Sequence, residues 1–301
     1  MKRLFIISLL IPLIFVQSAS AQSTDSLNQL KDHDFPVYYS SGHKKRAEVT
    51  ALRIEKAMAY HRQMLGFKPN VILFVLNETD WKVYTSGMVY GMPHYDDKNN
   101  RLIIAAEDNP FWKSFLPPPN QLPNELREPI QTAYTNGEGQ LSMQAFFDLL
   151  AIHELGHAFH IQNELTMQRM WMGELFCNIL LHTYIAENEP ELLPALTLFP
   201  RMVVAGGARE FKYTKLQDVH ERYNEIGQQH PKNYGWYQCR WHTAAAGIYD
   251  SVGKEVCKKL WDALKTQKEI LNDEQLPGFL EKAVDKSIAD MIRHWDSDTV
   301  R

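Results

Sequence analysis

Cysteine is scarce in this chain: Cys177, Cys239 and Cys257 are the only three in 301 residues. Three are too few for a disulfide framework, and no C-x-x-C pair marks a thiolate metal cage. Whether Cys239 or Cys257 joins a single bridge stays open, and the odd count leaves at least one thiol unpaired within the chain. Basic runs are also short. The longest is His43-Lys44-Lys45-Arg46, in a chain of formal net charge −4. That balance argues against a nucleic-acid partner, and the run reads as solvated surface at the start of a helix. A membrane span of about 20 apolar residues is missing as well. The apolar run from Leu4 to Val16 is too short for one; it follows Lys2 and Arg3 and ends at Ala19-Ser20-Ala21. Together these read as a cleavable signal peptide over residues 1–21, with cleavage near Ala21/Gln22. The expected product is a secreted or periplasmic protein that has no stable membrane insertion after cleavage. Internal repeats and low-complexity tracts are absent too.

With 45% hydrophobic and 23% charged residues, the rest has an ordinary globular composition. A polar leader covers 22–31. FPVYYSS alternates like a short strand, KKRAEVTALRIEKAMAYHRQMLG follows as a helix ending at Gly66, and NVILFVL (70–76) reads as a buried strand. Asn77 to Trp81 opens a second helix, Asp96 to Asn100 is a turn, and Leu102–Ala105 is a strand. LPPPNQLP (116–123) then breaks the chain, because proline continues neither a helix nor an inner strand. Beyond Ser142 the pattern is helical over 142–163, 167–187, 190–205, 214–227, 233–250, 252–267 and 275–295. The expected fold class is α+β, with a small mixed sheet half over 32–123 and a mainly helical half over 124–301.

Inside the first of those helices lies AIHELGHAFH, residues 151–160. Helix positions i and i+4 lie about 40° apart on one face, so His153 and His157 can grip one ion. Glu154 projects beside that face, where a carboxylate can act on a metal-activated water without binding the metal. In a chain with 12 His, H-E-x-x-H is expected by chance only about 0.03 times. Two histidines on an ordinary core helix are the competing reading, and the chance rate favours a metal site.

A catalytic zinc takes three protein ligands and leaves a fourth position open. By the rise per residue, Glu164 lies about 10 Å beyond His157 and His160 about 10 Å beyond His153 on the same helix, too far to join the pair. His160 is therefore expected to pack beside the site or to support a ligand. The third ligand should come from a helix turning back antiparallel, MQRMWMGELFCNILLHTYIAENEPE. Glu187, Glu189 and Glu191 sit at its polar end, as solvated surface. Glu174 lies among Trp171, Leu175, Phe176 and Ile179, where a carboxylate is costly to bury without a cation. Glu174 is therefore the expected third ligand, to one Zn2+ per chain. Asn178, one turn on, can reach a ligand histidine.

H-E-L-G-H followed by W-x-x-E-x-F resembles the gluzincin clan of zinc metallopeptidases, which includes thermolysin and the zinc aminopeptidases. Trp171, Glu174 and Phe176 match the clan's W-x-x-N-E-x-F-A, while Gly173 and Cys177 depart from it. The resemblance implies a zincin-like fold, with an antiparallel edge strand that holds extended substrate, a place taken by Leu102–Ala105. It also implies a Tyr or His on a later helix that stabilises the oxyanion. In NYGWYQCRWHTAAAGIYD the first candidate is Tyr237, with Tyr234 and His242 as alternatives. Aminopeptidases of the clan hold the substrate amine with a glutamate after a Gly-x-Met element. Gly91-Met92-Pro93-His94 has none, and Glu107 and Asp108 read as a polar turn, so a metalloendopeptidase is expected over an aminopeptidase.

The expected function is hydrolysis of a peptide or protein substrate by a zinc-activated water, with Glu154 as general base. The alternative is a binding protein on the same scaffold, with structural or absent zinc. A third possibility, a metal carrier or sensor, would favour additional His or Cys near the site, and His160 is the one hint of it.

Overall fold

The computed structural model describes residue 24 and residues 26–122 and 124–297; the signal segment expected over 1–21 lies outside them. Five strands form one mixed sheet in the order β1-β2-β3-β5-β4. They are β1 (Asn28–Leu30), β2 (Val37–Tyr39), β3 (Ile72–Leu76), β4 (His94–Asp96) and β5 (Arg101–Ala105). Strands β2, β3 and β5 run parallel, and β1 and β4 flank them antiparallel. The apolar runs LFVL in β3 and RLIIA in β5 are buried throughout, as central strands covered on both faces must be. Helix α1 (Lys44–Leu65) connects β2 to β3 and ends at Gly66, whose φ of 71° is the left-handed conformation that closes a helix at little cost to glycine. Helix α2 (Glu78–Tyr84) starts at Asn77, whose side chain accepts the Asp80 N–H at 2.9 Å.

The helical half follows: α3 (Pro110–Lys113), α4 (Asn124–Tyr134), α5 (Gln144–Gln162), α6 (Met170–Asn188), α7 (Leu193–Ala205), α8 (Leu216–Gln229), α9 (Pro231–Val252), α10 (Glu255–Thr266), α11 (Gln275–Ala283) and α12 (Lys286–His294). The fold is α+β, a small mixed sheet followed by helices. No described helix is long and apolar enough to cross a membrane.

Four expectations need correction. Leu102–Ala105 is not the edge strand: it is wholly buried between β3 and β4, and β4 is the antiparallel edge. Part of the polar leader, Asn28–Leu30, pairs as β1. The last helix is two, because Asp285 turns extended (φ −171°) and its carboxylate caps α12 by accepting the Ser287 N–H at 2.8 Å. Within the basic run, Arg46 is not solvated surface. Its guanidinium reaches Asp148 of α5, with Nη1 2.6 Å from Oδ2, and ties the sheet's helix to the motif helix. Helix α4 was not anticipated either, since Pro129 lies inside it and obscures its pattern.

Helices α5 and α6 form the centre. Every residue from Trp171 to Ile185 of α6 is buried, so this helix is surrounded on all sides, as its nearly all-apolar sequence requires. The two helices approach closely at Gly156, where an added Cβ would stand 3.0 Å from both Cα and Sγ of Cys177. Gly156→Ala is expected to force the helices apart and to cost about 1–3 kcal/mol in denaturant unfolding. An unchanged midpoint would show that the contact yields freely.

His61 on α1 is 1% exposed, and neither of its ring nitrogens has a hydrogen-bond partner among the described residues. It sits among the rings of Tyr60, Phe159 and Tyr184 at 5.3, 5.8 and 6.1 Å, and burial pushes it down to about 3. The folded state therefore binds fewer protons than the unfolded state, in which the imidazole titrates near 6.5. Stability from this residue is complete above that value and is lost as pH falls toward 3, at up to about 1.4 kcal/mol per pH unit. His61→Phe keeps the ring contacts and should flatten the loss between roughly pH 6.5 and 5 by about 2 kcal/mol, measured by denaturant unfolding. Equal pH slopes in both proteins would refute this.

Candidate metal centre

His153, Glu154 and His157 project from α5, and Glu174, Cys177 and Asn178 from α6. The two helices bring the expected ligands together. Glu174 Oε2 lies 3.1 Å from His153 Nε2 and 3.8 Å from His157 Nε2. The far side of each ring is engaged. His153 Nδ1 is 2.9 Å from Asn178 Oδ1, and an amide oxygen only accepts, so Nδ1 carries a proton and Nε2, which here donates to Glu174 at 3.1 Å, is the nitrogen that would turn to a metal on losing its proton. His157 Nδ1 is 3.0 Å from His160 Nε2, which leaves the Nε2 of His157 with a free lone pair when His157 is the donor. Asn178 and His160 thus occupy the supporting positions read from the sequence.

Glu174 is 6% exposed, and both of its oxygens are held. Tyr223 of α8 donates its hydroxyl to Oε1, and Gln238 of α9 donates Nε2–H to Oε2 at 2.8 Å. Tyr234 stands behind both: its oxygen is 2.9 Å from that of Tyr223 and accepts from Gln238 Nε2 at 2.8 Å. Helix α8 leaves regular geometry at Arg222, immediately before Tyr223. Burial alone would raise the Glu174 carboxyl, but His157, His153 and the Tyr223 hydroxyl hold it well below the usual carboxylate range. His157 is pushed down to about 4 and His160 to about 3, chiefly by burial, so both rings are neutral near pH 7. Burial opposes protonation of His153 too, yet the contacts to Glu174 and Glu154 raise it.

Glu154 stands apart from this cluster. Its carboxyl is pushed up to about 8, mainly by burial, with His153 and a backbone hydrogen bond at Tyr95 pulling the other way. Tyr95 belongs to β4, so Glu154 faces the edge strand. The end of α5 is tied to the same strand by Gln162, whose Nε2–H donates to the Tyr95 hydroxyl and the Asn70 carbonyl, both at 2.7 Å.

Cys177 carries no motif in the sequence, yet its Sγ and one nitrogen each of His153 and His157 all lie within 4.8 Å of one another. The thiol is fully buried beneath Gly156, and burial pushes it far up. The clearest signal for it in sequence is its spacing, three residues after Glu174. All three cysteines are buried and free, which answers the open question of a Cys239 or Cys257 bridge.

The oxyanion candidates separate. Tyr237 is turned away: it stacks on Trp241 and Trp295 with centroids 5.6 and 6.1 Å apart and donates its hydroxyl to the Lys215 carbonyl at 2.8 Å. Tyr234 joins the Glu174 network. His242 is buried with its ring 6.3 Å from that of His153. Tyr223, which touches Glu174 directly, was not picked out from sequence, because DVHERYNE is a polar surface pattern with no motif. Asp108 serves its turn by accepting from Ser142 Oγ and Asn136 Nδ2, both at 2.6 Å, as the polar-turn reading expected.

Two imidazoles, that of His153 neutral once a cation displaces its Nε2 proton, and one carboxylate suit a borderline ion such as zinc. The Nε2 atoms of both rings face the same buried anion, whose other donors, Tyr223 and Gln238, are neutral. A cation would complete that charge, so the residues fit the group. No family model matches the chain, and no curated protein resembles it significantly, so this centre is argued on its own chemistry.

Proposed function

We propose that the protein is a zinc-dependent metallopeptidase that cuts within peptide chains, with His153, His157 and Glu174 holding the ion. The observation that carries this reading is the convergence of two partner-fixed Nε2 atoms on one buried carboxylate, with a second carboxyl, Glu154, beside it and bonded to neither ring. A bound zinc supplies an electrophile that polarises a carbonyl and acidifies a water.

The chain's own groups do the remainder. With a cation held beside it, the Glu154 carboxyl is lowered toward the ionised form, in which Glu154 takes a proton from the attacking water and hands it to the leaving nitrogen. Its backbone contact at Tyr95 sets it against β4, which offers an antiparallel edge to an extended peptide. Tyr234 takes the place of Tyr237 as the hydroxyl donor to developing negative charge, while the Tyr223 hydroxyl stays committed to Glu174. Gly91-Met92-Pro93-His94 carries no glutamate to hold a substrate amine, and Asp108 is engaged by Ser142 and Asn136, which supports cleavage within chains. Export rests on the sequence of 1–21 alone.

The test is cleavage of a mixed peptide library by the chain from Gln22, before and after chelation. Cleavage that stops on chelation and returns with one equivalent of zinc supports the reading. Full metal occupancy with no cleavage at any site would sink it in favour of a binding protein.

A further inference from the structure

Two turns along α6 from Glu174, about 12 Å by the helical rise, His182 lines a cavity of about 290 Å3 that does not include the metal centre. The cavity lies between α6, α7 and α9, with Leu193, Leu198 and Ala246 giving it apolar walls. Two opposite charges stand at it, Arg201 from α7 and Asp250 from α9. Both are exposed, and neither forms an ion pair or hydrogen bond among the described residues. His182 is 5% exposed and, apart from a ring contact with Tyr249 at 5.3 Å, has no polar partner among the described residues. Its ring nitrogens are not sealed off from solvent as those of His61 are.

Burial pushes His182 down to about 4, with Asp250 and Arg201 pulling in opposite directions. Both charges line the same cavity as this imidazole, which is neutral near pH 7 and offers one donor and one acceptor.

We infer that this cavity binds a small zwitterion, a free α-amino acid with an aliphatic side chain, its carboxylate on Arg201, its ammonium on Asp250 and its side chain against Leu193 and Leu198. An unpaired cation and an unpaired anion around one apolar hollow match the two charges and one apolar group of such a molecule. The volume, at the lower limit of small-molecule sites, admits an amino acid and excludes a folded partner. The inference does not depend on a metal being held at Glu174.

The experiment is ligand-observed NMR titration of the mature chain with L-leucine, repeated with N-acetyl-L-leucine and L-leucinamide, each lacking one charge. L-leucine should bind saturably, and each analogue should bind about fivefold or more weakly, the worth of one exposed charge contact. Arg201→Ala and Asp250→Ala should each weaken L-leucine by a similar factor without shifting the unfolding midpoint, since both side chains are exposed. Binding should persist in Glu174→Ala, which separates this cavity from the metal centre. Non-saturable binding, equal binding of all three compounds, or loss of binding in Glu174→Ala would overturn the assignment.

Discussion

Glu154→Gln is expected to leave zinc bound at unchanged affinity and to lower peptide cleavage by about 10²- to 10⁴-fold, the usual worth of a positioned general base. The substitution keeps the size and hydrogen-bonding reach of the side chain and removes only its ability to take up a proton. Metal retention is expected because the Glu154 carboxyl is bonded to neither histidine, whose far nitrogens are engaged by Asn178 and His160. Stability should hold or rise, since a buried carboxyl pushed up to about 8 is replaced by a neutral amide. Metal content by atomic absorption beside cleavage kinetics checks both halves. Lost metal would make Glu154 a ligand, and retained cleavage would remove its role as base.

Glu174→Ala is expected to weaken zinc by more than about 100-fold, beyond the 10- to 100-fold that loss of a supporting group costs. The effect is large because Glu174 is the only anion among the proposed ligands, and both of its oxygens are already oriented by Tyr223 and Gln238. The truncation also strands those two buried donors, at about 1–3 kcal/mol each. A competing chromogenic chelator measures the affinity, and Glu174→Gln serves as a control that keeps a partner for Tyr223. If Glu174→Ala binds zinc as tightly as the parent chain, the carboxylate is a structural group and the third ligand lies elsewhere.

How much of this was legible in the sequence follows from what each signal encodes. His153, Glu154 and His157 were readable because a spacing of four places two side chains on one helical face whatever surrounds them. Glu174 was readable because α6 is apolar on all sides, and one carboxylate in such a helix needs a partner. Asn178 and His160 followed from the same one-turn arithmetic. Tyr237 was misplaced because its distance along the chain from Glu174 says nothing about which face of α9 it occupies. Three residues earlier, Tyr234 faces the site, while Tyr237 packs between tryptophans. Tyr223 and Gln238 reach Glu174 only through the packing of α8 and α9 on α6, which local pattern does not carry. The edge strand was misread for a related reason: RLIIA is the stronger strand sequence because it is the inner one, and the half-exposed HYD of β4 has too little pattern to stand out. Cys177 reads as a small buried residue in sequence, and only the close approach at Gly156 places it beside the histidines.

The central claim is that His153, His157 and Glu174, and not Cys177, hold one ion. The most direct measurement is titration of the mature chain with Co2+, followed by its visible and near-ultraviolet absorption, in the parent chain and in Cys177→Ser. The account predicts saturation at one equivalent, with the visible bands of a nitrogen and oxygen donor set, no sulfur-to-cobalt charge-transfer band, and the same spectrum in Cys177→Ser. A charge-transfer band that disappears in Cys177→Ser would put the thiolate on the metal and contradict the assignment, as would failure to bind cobalt at all.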